Sequence, residues 1–178
     1  VIPEISINDF KKAEKGYKKV GVSIPFGPEI EAQRGLRAVV PCLAASNCDY
    51  NGRIYLDNVK LVNGKPSKNE TELRAVDPII FTFDNKSDLS SWSDGGSYDY
   101  SGGMKIGYDS ELKAMRLDLD YSKNAMSSWS EAKVMHTFAK TRELEGYNQF
   151  SFDFIYDPSN MSSGSFMAKV TAGIIDAN

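Results

Sequence analysis

The sequence predicts an all-β fold, a β-sandwich or jelly roll of two antiparallel sheets. Short runs in which every second residue is apolar recur along the chain, as in strands with one buried face. Turns rich in Gly, Ser and Asn separate these runs, which is typical of sandwiches and jelly rolls. Helical periodicity is weak, and residues 8–15 and 140–144 are the best helix candidates.

About eight strands are expected from this pattern. They are residues 17–24, 36–40, 53–62, 79–83, 115–121, 133–138, 150–156 and 166–175. The first two end before Pro25 and Pro41, because proline cannot donate to a strand ladder. In the third, the apolar alternation changes parity between Leu56 and Val59, which predicts a β-bulge near Asp57 and Asn58.

The chain of 178 residues suits one domain, residues 1–178. Residues 63–77 are polar and form the one linker-like segment. The 62 residues before it and roughly 100 after it are each small for an independent sandwich, so a single domain with a long surface connection is preferred over two.

Composition excludes several classes of protein. The net charge is −3 without a basic block, which argues against nucleic-acid binding. Hydrophobic residues make up 41%, which argues against disorder. No apolar run approaches the roughly 18 residues of a membrane helix. The chain starts at Val1 rather than Met, so we expect a piece excised from a longer protein.

Cys42 and Cys48 are the two cysteines. They either close a small loop by a disulfide in an oxidising compartment or remain free thiols. A metal pair is disfavoured, because the single histidine, His136, lies far away in the sequence. His136 itself lies in an apolar strand, so a packed histidine is favoured over a catalytic one.

The two tryptophans, Trp92 and Trp129, both lie among polar residues. Exposed indole faces suit sugar rings, whose C–H faces are apolar; the other interpretation is that these side chains fold back onto the core. Glu131 and Lys133 follow Trp129 at strand spacing and are either sugar-binding partners or a solvated strand face. Tyr98 and Tyr100 stand after Trp92 in the same way, and either extend an aromatic platform or pack on a loop.

Seven stretches carry a family resemblance when taken together. Residues 49–61 are similar to a closing strand and residues 16–25 to the strands before it. The stretches similar to earlier parts come later in the chain, at residues 81–84, 89–92, 112–120, 127–134 and 150–158. Together they resemble carbohydrate-binding module family 27, whose members are appended to β-mannanases.

The order of these stretches is rotated relative to that family. Residues 1–62 resemble the family's C-terminal part and residues 78–178 its N-terminal part, with 63–77 connecting them. We interpret this as a circular permutation, which predicts that Val1 and Asn178 lie close together. The alternative is a cut through two tandem modules. A third binding tryptophan, which the resemblance implies near the junction of the termini, is missing from this sequence.

The resemblance implies a secreted, non-catalytic module that binds β-1,4-mannan or glucomannan through Trp92, Trp129, Glu131, Lys133, Tyr98 and Tyr100. It also implies a structural Ca²⁺ held by Asp57 and Asp84, although these could be ordinary solvent-facing aspartates. A covalently linked mannanase would be its partner. The alternatives are a structural β-sandwich that packs on a secreted glycoside hydrolase without a ligand of its own, and, less favoured, a small glycan-cleaving jelly roll.

Overall fold

The computed structural model describes residues 5–6, 16–26, 35–63, 77–143 and 146–173. Within these ranges, eleven strands form an all-β sandwich of two antiparallel sheets. The strands are β1 Ile5–Ser6, β2 Lys18–Pro25, β3 Gly35–Ser46, β4 Asn51–Val62, β5 Ile79–Phe81, β6 Trp92–Tyr98, β7 Met104–Asp109, β8 Ala114–Asp120, β9 Ser130–Glu143, β10 Gln149–Tyr156 and β11 Ser165–Gly173. The helical segments in these ranges are short 3-10 turns at Lys86–Ser91, Ser122–Asn124 and Pro158–Asn160.

The two sheets interleave strands from both sides of the connecting segment. Sheet A has the order β1-β11-β3-β9-β6, and sheet B the order β2-β10-β4-β8-β7, with β5 paired to β4. Thus β3 lies between β11 and β9, and β4 lies between β10 and β8. The parts of the chain before and after residues 63–77 therefore build one shared hydrophobic core. Val1 and Asn178, whose proximity the permutation predicts, lie outside the described residues.

Strand β10 shows how the alternation builds this core. Phe150, Phe152, Phe154 and Tyr156 are every second residue of the strand, and each is at most 2% exposed. The rings contact in two pairs along the strand, with centroids 5.8 Å apart for Phe150 and Phe152 and 5.3 Å apart for Phe154 and Tyr156. Truncating such a fully buried phenylalanine typically costs about 3–5 kcal/mol, so this strand is a principal source of stability.

The predicted bulge in β4 is confirmed. The pairing of β4 with β10 shifts register between Ser151 and Asp153, opposite residues 57–60 of β4. Asn58 has a φ of 49°, a left-handed conformation that asparagine tolerates better than most residues. The bulge explains how Leu56 and Val59 are both buried although they are three residues apart.

Pro41 does not end β3, contrary to the sequence prediction. The strand continues to Ser46 and pairs with β11 on one side and β9 on the other. Four consecutive residues after it, Cys42 to Ala45, are at most 2% exposed. Burial on both faces of a central strand therefore outweighs the loss of one N–H donor.

The helix predicted at residues 140–144 is also wrong. Residues 140–143 continue β9, where Glu143 lies opposite Gly35 and Arg142 opposite Leu36 of β3. Local propensity is overridden here by pairing with a neighbour about a hundred residues away. The other helix candidate, residues 8–15, lies outside the described residues.

Strands β6 and β7 were missed because β6 is polar and glycine-rich and β7 is only six residues long. Each stands last in the strand order of its sheet among the described residues. β6 also has a register shift between Asp94 and Ser97, where Gly96 adopts a φ of 88°. β6 lacks the apolar alternation on which sequence prediction rests, whereas β7 has it at Met104, Ile106 and Tyr108.

Both cysteines are free and buried, so the structure contains no Cys42–Cys48 disulfide. The Cys48 thiol instead lies 3.2 Å from the sulfur of Met161. Burial raises the pKa of Cys42 to about 12 and that of Cys48 to about 11, so both remain protonated at neutral pH. No helix among the described residues has the length and apolar character that spanning a bilayer requires.

Candidate functional site

The outer surface of sheet A carries the candidate site. On β9, Ala132 and Val134 point into the core, so Glu131 and Lys133 alternate onto the opposite side of the sheet. Trp129 lies directly before the first residue of this strand. We call the surface formed by Trp129, Glu131, Lys133, Lys169 and Tyr98 the Glu131 face.

Glu131 is the centre of this face. Only 5% of the residue is exposed, although it lies on the outer side of the sheet, because neighbouring side chains cover it. The indole Nε1–H of Trp129 donates to its Oε1 at 2.9 Å, and Lys133 Nζ lies 2.7 Å from its Oε2. Lys169 Nζ forms a second ion pair with Oε1. The carboxylate therefore meets three donors from two strands and one loop.

These contacts keep Glu131 ionised. Burial alone would raise the pKa of its carboxyl group, but the hydrogen bonds from Lys133, Lys169 and Trp129 outweigh it and lower the pKa to about 2. With its proton lost and both oxygens occupied, Glu131 cannot serve as a general acid near neutral pH. Its role in the structure is to fix the indole and the two ammonium groups.

Lys169 was not among the residues predicted from the sequence. It lies on β11 opposite Cys42 of β3, and Cys42 in turn lies opposite Lys133 of β9. Its Nζ also lies over the Trp129 ring, 5.7 Å from the centroid, at a cation–π distance. Strand alternation would place Lys169 outside the core, but only the pairing of β11, β3 and β9 brings it to Glu131.

Trp92, the second predicted sugar-binding tryptophan, lies in the core. It begins β6 and is 7% exposed. Its ring packs on Phe81, Phe83 and His136, with centroid distances of 5.4, 5.7 and 5.2 Å. An indole enclosed in this way presents no open face to a sugar. Trp92 therefore follows the alternative interpretation, in which the side chain folds back onto the core.

Tyr98 and Tyr100 do not form one platform. Tyr98 is 61% exposed at the end of β6 and lies opposite Glu131, so it belongs to the Glu131 face. Tyr100 is half-buried and packs on Tyr121, with ring centroids 4.6 Å apart. The Tyr100 hydroxyl donates to the Gly103 carbonyl at 2.7 Å and accepts from the Asp120 N–H at 2.9 Å. Tyr100 therefore fixes a loop.

Asp57 and Asp84, the predicted calcium ligands, lie close enough to interact electrostatically. Burial and then the charges of Asp153 and Asp84 raise the pKa of Asp57. The Asp57 carboxylate accepts from the backbone N–H of Asn58 at 2.7 Å, and Lys19 Nζ lies 2.6 Å from Asp153. Across the described ranges, no group of three or more His, Cys, Asp or Glu side chains is arranged to hold a metal ion. Ca²⁺ in proteins is bound by roughly six to eight oxygen atoms, and these carboxylates alone supply fewer.

His136 packs in the same aromatic cluster as Trp92. Its ring lies 4.4 Å from Phe81 and 4.6 Å from Phe138, measured between centroids. Burial lowers the pKa of His136 to about 4, against a hydrogen bond with the Ser91 backbone that raises it. The imidazole is therefore neutral near pH 7 and buried away from the Glu131 face, in keeping with a packed histidine.

Replacing His136 with phenylalanine should remove part of the protein's acid sensitivity. The unfolded chain takes up a proton near the usual histidine pKa, whereas folded His136 resists until about pH 4. Its contribution to stability is therefore present above about pH 6.5 and is lost as the pH falls towards 4. Between pH 7 and 5, urea unfolding should show native stability falling by about 2 kcal/mol more than that of His136→Phe. Parallel losses in the two proteins would contradict this assignment.

No family model, curated protein or solved structure matches this chain.

Proposed function

We propose that this protein is a non-catalytic carbohydrate-binding module whose ligand lies along the Glu131 face. The observation that carries the proposal is the fixed indole of Trp129, held by its Nε1–H on the buried Glu131 carboxylate. Sugar binding by stacking needs an aromatic ring that is accessible yet already oriented, so that little rotational freedom is lost on binding. Trp129 is partly exposed and meets both conditions.

The surroundings of the indole supply the polar contacts that sugar hydroxyls need. Lys169 lies over one side of the ring, so a sugar would stack on the other side. The ammonium group of Lys133 has three N–H donors, and its pairing with Glu131 leaves donors for a ligand. Tyr98 is exposed opposite Glu131 in the strand ladder and supplies a second aromatic side chain on this face. The site proposed here therefore keeps Trp129, Glu131, Lys133 and Tyr98, adds Lys169, and omits Trp92 and Tyr100.

β-1,4-Mannan or glucomannan is the proposed polysaccharide, on the strength of the resemblance to carbohydrate-binding module family 27. In this proposal the module is secreted and covalently linked to a mannanase. Tethering keeps the catalytic domain near its polymer and raises the effective substrate concentration without changing the chemistry.

Titration with mannohexaose tests this function directly. Binding heat measured by calorimetry and a change in tryptophan emission are both expected, because Trp129 is partly exposed whereas Trp92 is buried. Xylohexaose, a β-1,4-linked chain of equal length that lacks the hydroxymethyl group and has an equatorial instead of an axial C2 hydroxyl, serves as the ligand control and should bind more weakly. A flat titration with mannohexaose and with soluble glucomannan would overturn the proposal.

A structural β-sandwich without a ligand of its own is the second candidate. The exposed Tyr98 lies on β6, the edge strand of sheet A, and tyrosine at such a position suits a protein interface. In that case mannan would leave the tryptophan fluorescence unchanged, whereas addition of the catalytic domain would change it.

Calcium at Asp57 and Asp84 is proposed from the same resemblance. A cation between the two carboxylates would relieve the charge repulsion that contributes to the raised pKa of Asp57. Millimolar Ca²⁺ should then raise the melting temperature relative to a chelator, and Asp57→Asn and Asp84→Asn should each reduce that rise. Identical melting temperatures in Ca²⁺ and in chelator would contradict the proposal.

A further inference from the structure

A groove of about 460 Å³ opens on sheet B, the sheet opposite the Glu131 face. It lies where β4, β7 and β8 meet the loop before β7. Its polar lining comes from Asn51 and Arg53 of β4, Lys105 of β7, and Asp118 and Asp120 of β8. The volume falls within the range of roughly 300–1,000 Å³ that is typical of sites for small ligands.

The wall of this groove is fixed before any ligand arrives. The Tyr100 hydroxyl donates to the Gly103 carbonyl and accepts from the backbone N–H of Asp120. These two hydrogen bonds hold the loop against β8. Gly102 lies so close to β8 that a Cβ atom there would come within 1.8 Å of the Asp120 carbonyl oxygen. Gly103 has a φ of 74°. Two glycines and a tyrosine hydroxyl therefore hold this loop in one position, and a preformed wall lowers the entropy cost of binding.

The lining alternates donors and acceptors. Arg53 and Arg116 both direct their Nε atoms at Asp118 Oδ1, at 3.5 and 3.3 Å. Lys105 is exposed and lies opposite Asp118 in the strand ladder, yet within the described residues it forms no ion pair. Asn51 is exposed at the first residue of β4.

We propose that this groove is a second carbohydrate site, which takes one or two neutral sugar units. Basic and acidic side chains stand side by side in it, which disfavours a strongly anionic or cationic ligand. A hydroxyl group can accept from Lys105 or Arg53 and donate to Asp118 or Asp120 at the same time. None of the described residues that line the groove is aromatic, so its affinity rests on hydrogen bonds and is weaker than that of the Glu131 face.

Two sites on opposite sheets make the module bivalent. One protein molecule could then bridge two polysaccharide molecules. It could also bind two segments of the same polysaccharide and so gain avidity. The groove needs none of the residues of the Glu131 face. Its existence therefore goes beyond the proposed function, and the two can fail separately.

The test is an NMR titration of the isotope-labelled chain with mannobiose, in a Trp129→Ala background that weakens the Glu131 face. Backbone amides of Gly102, Gly103 and Lys105 should shift in a saturable way. Adding Lys105→Ala should weaken this binding about tenfold, the expected effect of losing one charged hydrogen bond. Lys140→Ala, an exposed lysine on β9 away from the groove, should leave the affinity unchanged.

The outcomes separate the two proposals. Shifts confined to the groove in both the native and the Trp129→Ala protein would support the second site and count against the Glu131 face. Shifts confined to the Glu131 face of the native protein, and absent from Trp129→Ala, would overturn the second site and leave the proposed function intact. Groove shifts that Lys105→Ala and Lys140→Ala reduce equally would also overturn it, because the lining would then confer no specificity.

Discussion

Replacing Glu131 with glutamine should destabilise the protein by about 3 kcal/mol near neutral pH. The substitution keeps the shape of the side chain but leaves two partly buried ammonium groups, of Lys133 and Lys169, without their carboxylate. Breaking one side of a buried ion pair typically costs about 3–5 kcal/mol, and the residual exposure of both lysines places this case at the lower end. Urea or thermal unfolding at pH 7 measures the difference.

The pH dependence identifies the charge as the cause. The pKa of Glu131 is about 2 in the folded protein, below its value of about 4.5 in an unfolded chain. A lowered carboxyl pKa stabilises the fold above the unfolded value, and this contribution is lost as the pH falls towards the folded value. The gap between the native protein and Glu131→Gln should therefore be constant above about pH 5 and shrink below it.

A matched control separates this effect from a general loss of negative charge. Glu143 lies on the same strand and is exposed, so Glu143→Gln should change stability by no more than about 0.5 kcal/mol. If the two variants were equally stable at pH 7, the ion-pair cluster would have no energetic role. The pH range in which Glu131 affects stability lies below the range in which His136 does. The two contributions can therefore be separated in one series of unfolding measurements at different pH values.

Replacing Trp129 with alanine should reduce affinity for mannohexaose by at least about 30-fold. Tryptophans at the centre of a binding surface typically contribute about 2 kcal/mol or more, and here the indole is also the best-oriented aromatic ring on the Glu131 face. Calorimetry on the variant measures the loss. Tyr98→Ala should cost only several-fold, because its ring stands at the exposed edge of the surface.

Trp92→Phe is the control for the tryptophan prediction. Trp92 is enclosed by Phe81, Phe83 and His136, so this change should alter the melting temperature but leave the affinity for mannohexaose within about twofold. The reverse result, with binding lost in Trp92→Phe and retained in Trp129→Ala, would place the ligand elsewhere than on the Glu131 face.

Much of the fold could be predicted from local pattern. The alternation in residues 150–156 matches β10, and the parity change after Leu56 matches the bulge at Asn58. The errors share one physical cause. β3 continues through Pro41, β9 continues through residues 140–143, and the polar segment at residues 92–98 forms β6. In each case, partner strands that are distant in sequence supply the hydrogen bonds and the burial. A short stretch of sequence does not reveal which strands will pair with it or in what order the strands stand in the sheet.

The candidate site was predictable only in part, for the same reason. Spacing along one strand was enough to place Glu131 and Lys133 on a common face, since side chains alternate with a period of two. The polar sequence around Trp92 suggested an exposed indole, but polar neighbours on an edge strand do not decide which way that side chain points. Packing against Phe81 and Phe83 turns it inward.

Local sequence pattern is therefore enough to predict the all-β class, most of the strands, and the alternation that keeps Glu131 and Lys133 out of the core. Which side chains meet depends on the order of the strands in the folded sheets. Placing β3 between β11 and β9 brings Lys169 to Glu131 and Trp129, and packing the two sheets buries Trp92 and His136. The reason is that strand period is a property of consecutive residues, whereas strand order arises from burying one hydrophobic face of each sheet against the other.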